Sequence, residues 1–83
     1  MTTFILYSRT YCHLCDDMLE QLQSYSGRYD FRVEVMDVDA DEALLQLYDE
    51  LVPVLVGIRD NGESEQICHY FLDQTKLISF LEK

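Results

Sequence analysis

The sequence predicts a single α/β domain in the order β-α-β-α-β-β-α: a four-stranded mixed sheet with three helices. Three observations carry that prediction. Residues 3–38 alternate from a strand pattern to a helical one and back to a strand pattern. A second helical stretch then runs up to the lone proline, which opens a short apolar strand. Beyond it an Asn-Gly pair turns the chain into a fourth strand, ahead of a closing helical segment. With 83 residues there is too little material for a second core. The apolar share of 48%, with only three glycines and one proline, fits a folded chain and not a disordered one.

Thr3-Phe4-Ile5-Leu6-Tyr7 is β-branched and aromatic, and apolar on both faces after Thr3. That pattern suits a central strand covered by helices on each side. Ser8-Arg9-Thr10-Tyr11 is polar enough for a loop and delivers Cys12 to the start of the first helix. Leu14, Met18, Leu19 and Leu22 recur at three- and four-residue spacing, while Asp16, Asp17, Glu20, Gln21 and Gln23 fill the opposite face. Ser26-Gly27 is expected to end this helix, with Gly27 supplying a left-handed turn. Phe31, Val33 and Val35 alternate with Arg32, Glu34 and Met36, so 31–38 reads as a strand with one buried face. A strand, helix and strand of these lengths imply a parallel pair joined by a right-handed crossover.

Asp37, Asp39, Asp41 and Glu42 lead into the second helix, where carboxylates complement the N-terminal dipole. The run lacks the glycine and spaced glutamate of an EF-hand loop, so calcium is not expected. Leu44, Leu47, Tyr48 and Leu51 are its predicted apolar face, and it should stop before Pro53, which pushes the preceding residue out of helical geometry. Residues 54–58 follow as the third strand, and Asn61-Gly62 predicts a tight hairpin to a fourth around 65–69. Leu77, Ile78, Phe80 and Leu81 place the last helix, with Asp73 as its cap. No repeat, linker or low-complexity segment interrupts the chain.

Sixteen acidic residues against six basic ones leave a formal net charge of −10. Binding a polyanion needs clustered Lys and Arg, so nucleic acid is not an expected partner, whereas basic proteins are favoured. Three cysteines are an odd number and too few for a secreted disulfide framework, which points to a reducing compartment. Neither a signal peptide nor an apolar run approaching ~20 residues is recognisable, so no membrane span is expected and the cytoplasm is the expected location.

Cys12-His13-Leu14-Cys15 sets two thiols two residues apart where a strand gives way to a helix. That placement suits reversible dithiol–disulfide exchange. Exchange needs a thiolate, and a free cysteine at a pKa of ~8.5 is only slightly ionised at neutral pH. The helix N-terminus and Arg9, three residues upstream, favour the anion; Asp16 and Asp17 oppose it, and His13 favours it only when protonated. Two other readings use the same residues. Cys12, Cys15, Cys68 and His69 are ligand types that zinc accepts, but Cys68 and His69, adjacent on a strand, point to opposite faces. Alternatively the domain is a partner-binding module with incidental cysteines. Cys68 itself reads as a small apolar strand residue, His69 as a surface residue, and Tyr7, Tyr11 and Tyr70 as core or rim, with Tyr11 placed to shape a groove beside the thiols.

With Tyr7-Ser8-Arg9, Cys12-His13-Leu14-Cys15-Asp16, Asp37-Val38-Asp39 and Val52-Pro53-Val54-Leu55, nearly the whole chain resembles the small bacterial glutaredoxin-like proteins of the thioredoxin fold. The resemblance implies that Cys12 is the attacking thiol and Cys15 the resolving one. It also implies that Pro53 is a cis-proline and that Val52 offers its backbone to a bound thiol compound. Arg9, Tyr11 and His13 complete the candidate substrate-binding set. A bridged iron–sulfur cluster, seen in some glutaredoxins, is a variant of the metal reading. Two departures shape the expected activity. Tyr11 replaces the thioredoxin tryptophan and His13-Leu14 the usual glutaredoxin Pro-Tyr. The Gly-Gly and acidic pair that bind glutathione in glutaredoxins have no match in Cys68-His69-Tyr70-Phe71-Leu72-Asp73. The expectation is therefore a thiol–disulfide oxidoreductase acting on a disulfide-bearing protein or small thiol. It should have no bound cofactor and little or no dependence on glutathione.

Overall fold

The structure is a computed structural model and describes residues 1–82. In chain order it contains β1 (Thr2–Ser8), α1 (His13–Gln23), β2 (Phe31–Asp37), a single 3-10 turn (Val38–Ala40), α2 (Glu42–Tyr48), β3 (Val54–Ile58), β4 (Ser64–His69) and α3 (Gln74–Leu81). The strands lie in the order β2-β1-β3-β4, with β1 parallel to β2 and antiparallel to β3, and β4 antiparallel to β3. The predicted β-α-β-α-β-β-α order and mixed four-stranded sheet are thus observed.

One face of the sheet carries the main core. Phe4 and Leu6 of β1, Leu55 of β3 and Ile67 of β4 pack against Met18 and Leu22 of α1 and Leu77 and Phe80 of α3. This is the period-2 face of the strands meeting the three- and four-residue stripe of the helices. Gly57 lies on the same face, opposite Phe4, because nothing larger fits. A Cβ built on it would lie 2.5 Å from Phe80 Cε1.

The other face is thinner. Tyr7 stacks on Tyr48 of α2 with ring centroids 4.6 Å apart, and Val54, its register partner, is fully buried. Yet α2 has only seven residues and none of them is buried, so Ile5, Val56 and Ile58 remain half-exposed. The expectation that β1 is covered by helices on both sides holds fully on one side and partly on the other.

Four local expectations are corrected. In α2 the inward side is Leu44, Leu45 and Tyr48, while Leu47 is 64% exposed, because Asp41 caps the helix through the Ala43 and Leu44 N–H groups and so fixes its rotation. On β2 only Phe31 and Val33 reach the core; Val35 is 53% exposed, since β2 is an edge strand whose far end outruns the helices. Gly27 takes no left-handed turn: α1 unwinds through i→i+3 bonds from the Tyr25, Ser26 and Arg28 N–H groups to the Leu22, Gln23 and Tyr25 carbonyls. Finally, Asn61-Gly62 does lie in the hairpin that joins β3 to an antiparallel β4, but in a loop between Ile58 and Ser64 that is longer than the tightest turn. The Gly62 N–H closes a turn on the Arg59 carbonyl, and only Gly62 has a positive φ, 91°, where a type I′ turn centred on Asn61-Gly62 needs two such residues.

Candidate functional site

The register of the sheet brings two loops to one edge. Tyr7, near the end of β1, pairs with Val54, at the start of β3, so the loop leading to Cys12 and the segment leading from Pro53 emerge side by side. Cys12 is the N-cap of α1, with extended backbone angles (φ −110°, ψ 104°), and its Sγ accepts a hydrogen bond from the Cys15 N–H at 3.1 Å. One unpaired donor at the helix start is thereby aimed at the sulfur, and the helix dipole adds to it. Cys12 and Cys15 are joined as a disulfide, with Cα atoms 5.2 Å apart. They are unequally accessible: Cys12 is half-buried, whereas Cys15 is 3% exposed.

Around the pair, His13 and Leu14 are exposed and Asp16 and Asp17 point to solvent. Tyr11 is 99% exposed and holds φ at 60°, in the left-handed region. Such a conformation costs a non-glycine residue on the order of 1–3 kcal/mol and gathers at functional sites.

Arg9 is placed differently from the sequence expectation. Its Nη2 and Nε donate to Asp39 Oδ1 at 2.8 Å and Oδ2 at 3.2 Å, and Nη2 also donates to Asp49 Oδ1 at 2.8 Å. These bonds hold its pKa far above the usual guanidinium range. Its charge is matched by two carboxylates and its role is to tie the loop before Cys12 to the 3-10 turn and the end of α2. The acidic run Asp37 to Glu42 is likewise put to use, Asp37 capping the 3-10 turn and Asp41 capping α2.

The Val52-Pro53 bond is cis, as the resemblance implied. Pro53 is buried and Val52 half-buried. Tyr70 brackets this segment: its N–H donates to the Pro53 carbonyl at 2.9 Å and its hydroxyl to the Glu50 carbonyl at 2.5 Å. Its φ is 63°, again in the left-handed region. The sequence shows Tyr70 only as one more aromatic near a strand end; a bond to residues 17 and 20 positions away leaves no periodic signal. Next to it Phe71 is 69% exposed.

Cys68 sits opposite Leu55 and packs against the main core. Burial is the largest influence on its thiol and pushes the pKa above the ordinary 9.0. Among the described residues no group of three His, Cys, Asp or Glu side chains is arranged to hold a metal ion. Tyr7 is pushed the same way, by burial first and Tyr48 second. Both groups hold their protons more tightly folded than unfolded. Their contribution to stability is complete below the ordinary values of 9.0 and 10.0 and is lost as pH rises through the higher folded values. Thermal unfolding should therefore shift to lower temperature above about pH 9, and less so in Cys68→Ala; melting curves from pH 7 to 11 measure it.

A β2-β1-β3-β4 sheet with a disulfide-linked CxxC capping α1 and a cis-proline entering β3 defines the thioredoxin class of folds. The oxidized form of mitochondrial thioredoxin 3 from Saccharomyces cerevisiae superposes with a TM-score of 0.72 at 22% identity, over 98% of this chain and 76% of that one. Protein Ne2328 from Nitrosomonas europaea, solved by NMR in solution, is 34% identical, with a TM-score of 0.85 over 96% of this chain and 91% of that one. Protein XcR50 from X. campestris is 28% identical, with a TM-score of 0.62 and 95% coverage of both chains. The chain belongs to the glutaredoxin-like domain family (DUF836), whose profile matches residues 3–82. No curated protein matches it in sequence.

Proposed function

We propose that this protein is a thiol–disulfide oxidoreductase that uses Cys12 to attack and Cys15 to resolve, with little or no dependence on glutathione and no bound cofactor. The observation that supports this most is the asymmetry of the pair: Cys12 is accessible and receives the Cys15 N–H, while Cys15 is enclosed. In the reduced protein the Cys12 thiolate attacks one sulfur of a substrate disulfide. That bond breaks, and the other substrate sulfur leaves as a thiolate and takes a proton from water. Cys15 then gives up its proton and attacks Cys12 Sγ, releasing the second substrate thiol. Two electrons have passed to the substrate, and the protein is left as the Cys12–Cys15 disulfide until a dithiol reductant restores it.

The case against glutathione is electrostatic and local. The chain carries −10, Arg9 is already paired with two carboxylates, and Tyr70, Phe71 and Leu72 stand where glutaredoxins present glycines and an acidic pair. The cysteine usage suits a reducing compartment, and we place the protein in the cytoplasm; no described helix is long and apolar enough to cross a membrane. The test compares turnover of a protein disulfide, driven by a dithiol reductant, with turnover of a glutathione mixed disulfide, driven by glutathione. The first should dominate and should fall as salt rises if the protein substrate is basic. Efficient, glutathione-saturable turnover of the second with little of the first would show an ordinary glutaredoxin instead.

A further inference from the structure

A shallow groove of about 120 Å³ runs between α1 and the segment that follows β4. Leu14, Met18, Phe71 and Leu72 line it with apolar surface, and Asp17, Gln21 and Tyr70 add polar groups. Two of its lining residues tie it to the cysteine pair and the cis-proline. Leu14 lies inside the CxxC sequence, and Tyr70 is bonded to the carbonyl of the cis-proline.

Size, polarity and charge narrow the occupant. Sites that enclose a whole small molecule are usually roughly 300–1,000 Å³, whereas an apolar cavity of about 150 Å³ takes up a single benzene ring. A groove of about 120 Å³ therefore matches one side chain and not a whole tripeptide. Asp17 is the only charged residue lining it, and Asp16 and Asp73 stand beside the lining residues in sequence. The backbone strain is located here too: Tyr11 and Tyr70, the two non-glycine residues with positive φ among those described, flank the cysteine pair and the groove respectively. Nothing in the packing of the core requires either ring, since both are exposed and neither belongs to the core cluster.

We propose that this groove seats one large apolar side chain, aromatic or branched, adjacent to the reacting cysteine of a protein substrate whose flanking residues are basic. This deepens the dithiol reading above and rests on it. The extended substrate strand lies along Val52, its disulfide meets Cys12, its apolar neighbour enters between Leu14 and Phe71, and its Lys or Arg residues face Asp17 and Asp16.

Short disulfide-bonded peptides that differ only beside one cysteine (Phe, Leu or Ala) and in their flanks (Arg or Glu) provide the test. In the intact protein, regenerated by a dithiol, kcat/KM should be about tenfold higher for Phe or Leu than for Ala, the low end for filling an apolar pocket because this one is open. Arg flanks should outperform Glu flanks several-fold at low salt, with the gap closing at high salt. Phe71→Ser should bring the Phe-to-Ala ratio close to one, while Leu47→Ser, an exposed change on α2, should keep it. A ratio near one in the unaltered protein, an unchanged ratio in Phe71→Ser, or glutathione disulfide reduced as well as the Phe-Arg peptide would each overturn the proposal. If no disulfide is reduced at all, the dithiol reading falls instead, and docking is then read separately. Versions of the peptides with Ser for Cys are titrated into the oxidised protein and amide shifts of Leu14, Met18 and Phe71 are followed by NMR. Shifts from the Phe peptide but not from the Ala peptide support the groove; equal or absent shifts overturn it.

Discussion

Cys15→Ser should accumulate a mixed disulfide at Cys12 that turns over slowly if at all, and Cys12→Ser should drop disulfide reduction to the uncatalysed background. The asymmetry follows from the first turn of α1. A disulfide in solution can reach the half-buried Cys12 sulfur but not Cys15, which is 3% exposed. The Cys15 N–H, 3.1 Å from Cys12 Sγ, becomes a charge-assisted donor once that sulfur is a thiolate. Such a bond contributes about 1.5–3 kcal/mol and the helix N-terminus about 0.3–1 kcal/mol. Against them, Asp16 and Asp17 each cost on the order of 0.6 kcal/mol if ~7 Å away in a watery setting. The backbone donor is thus the contribution that tips the balance toward the anion, and it survives in Cys15→Ser because it is main chain. Intact-mass analysis after mixing each reduced variant with a small disulfide separates the two outcomes. Faster alkylation of Cys15 than of Cys12 in the reduced parent protein at neutral pH would reverse the assignment.

Phe4→Ala should lower the melting temperature by roughly 12–40 °C, the largest stability effect expected of a single truncation here, at about 3–5 kcal/mol and 4–8 °C per kcal/mol for a domain of this size. Phe4 is fully buried on a central strand, with its ring 5.2 Å from Phe31 and 5.7 Å from Phe80. Phe80 is itself pinned: the Arg59 guanidinium lies 3.9 Å over its ring and donates to its carbonyl at 3.1 Å, and Gly57 leaves room for its edge. The site therefore has little freedom to collapse into the space a lost phenyl would leave. Phe71→Ala, the same truncation at a residue 69% exposed, should stay within about 0.5 kcal/mol of the parent. Differential scanning calorimetry of both variants measures the contrast, and a Phe4→Ala midpoint within a few degrees of the parent would show that the core repacks around the gap.

The contrast between those two phenylalanines marks where local information ends. Periodicity is a property of neighbouring residues, so the strand at Phe4, the helix carrying Met18 and Leu22, the last helix with its Asp73 cap, and the helix start at Cys12 were all legible in the sequence. So was the placing of the two thiols as a pair, because spacing and position at a strand-to-helix junction are written in a few consecutive residues. The cis state of Pro53 came from family resemblance and not from any residue beside it. What the sequence left open depends on groups distant along the chain. Arg9 is committed to Asp39 and Asp49, 30 and 40 residues away, and Tyr70 is tied to Glu50 and Pro53; neither partner choice has a periodic trace. Leu47 and Val35 fit their stripes by spacing yet face solvent, because a seven-residue helix and an edge strand run out of surface to cover them. Local sequence determined which elements form and where the thiols sit. Only the tertiary structure decided which apolar side chains are left at the thiols' edge and which charges are already matched, since both depend on what the rest of the fold has covered.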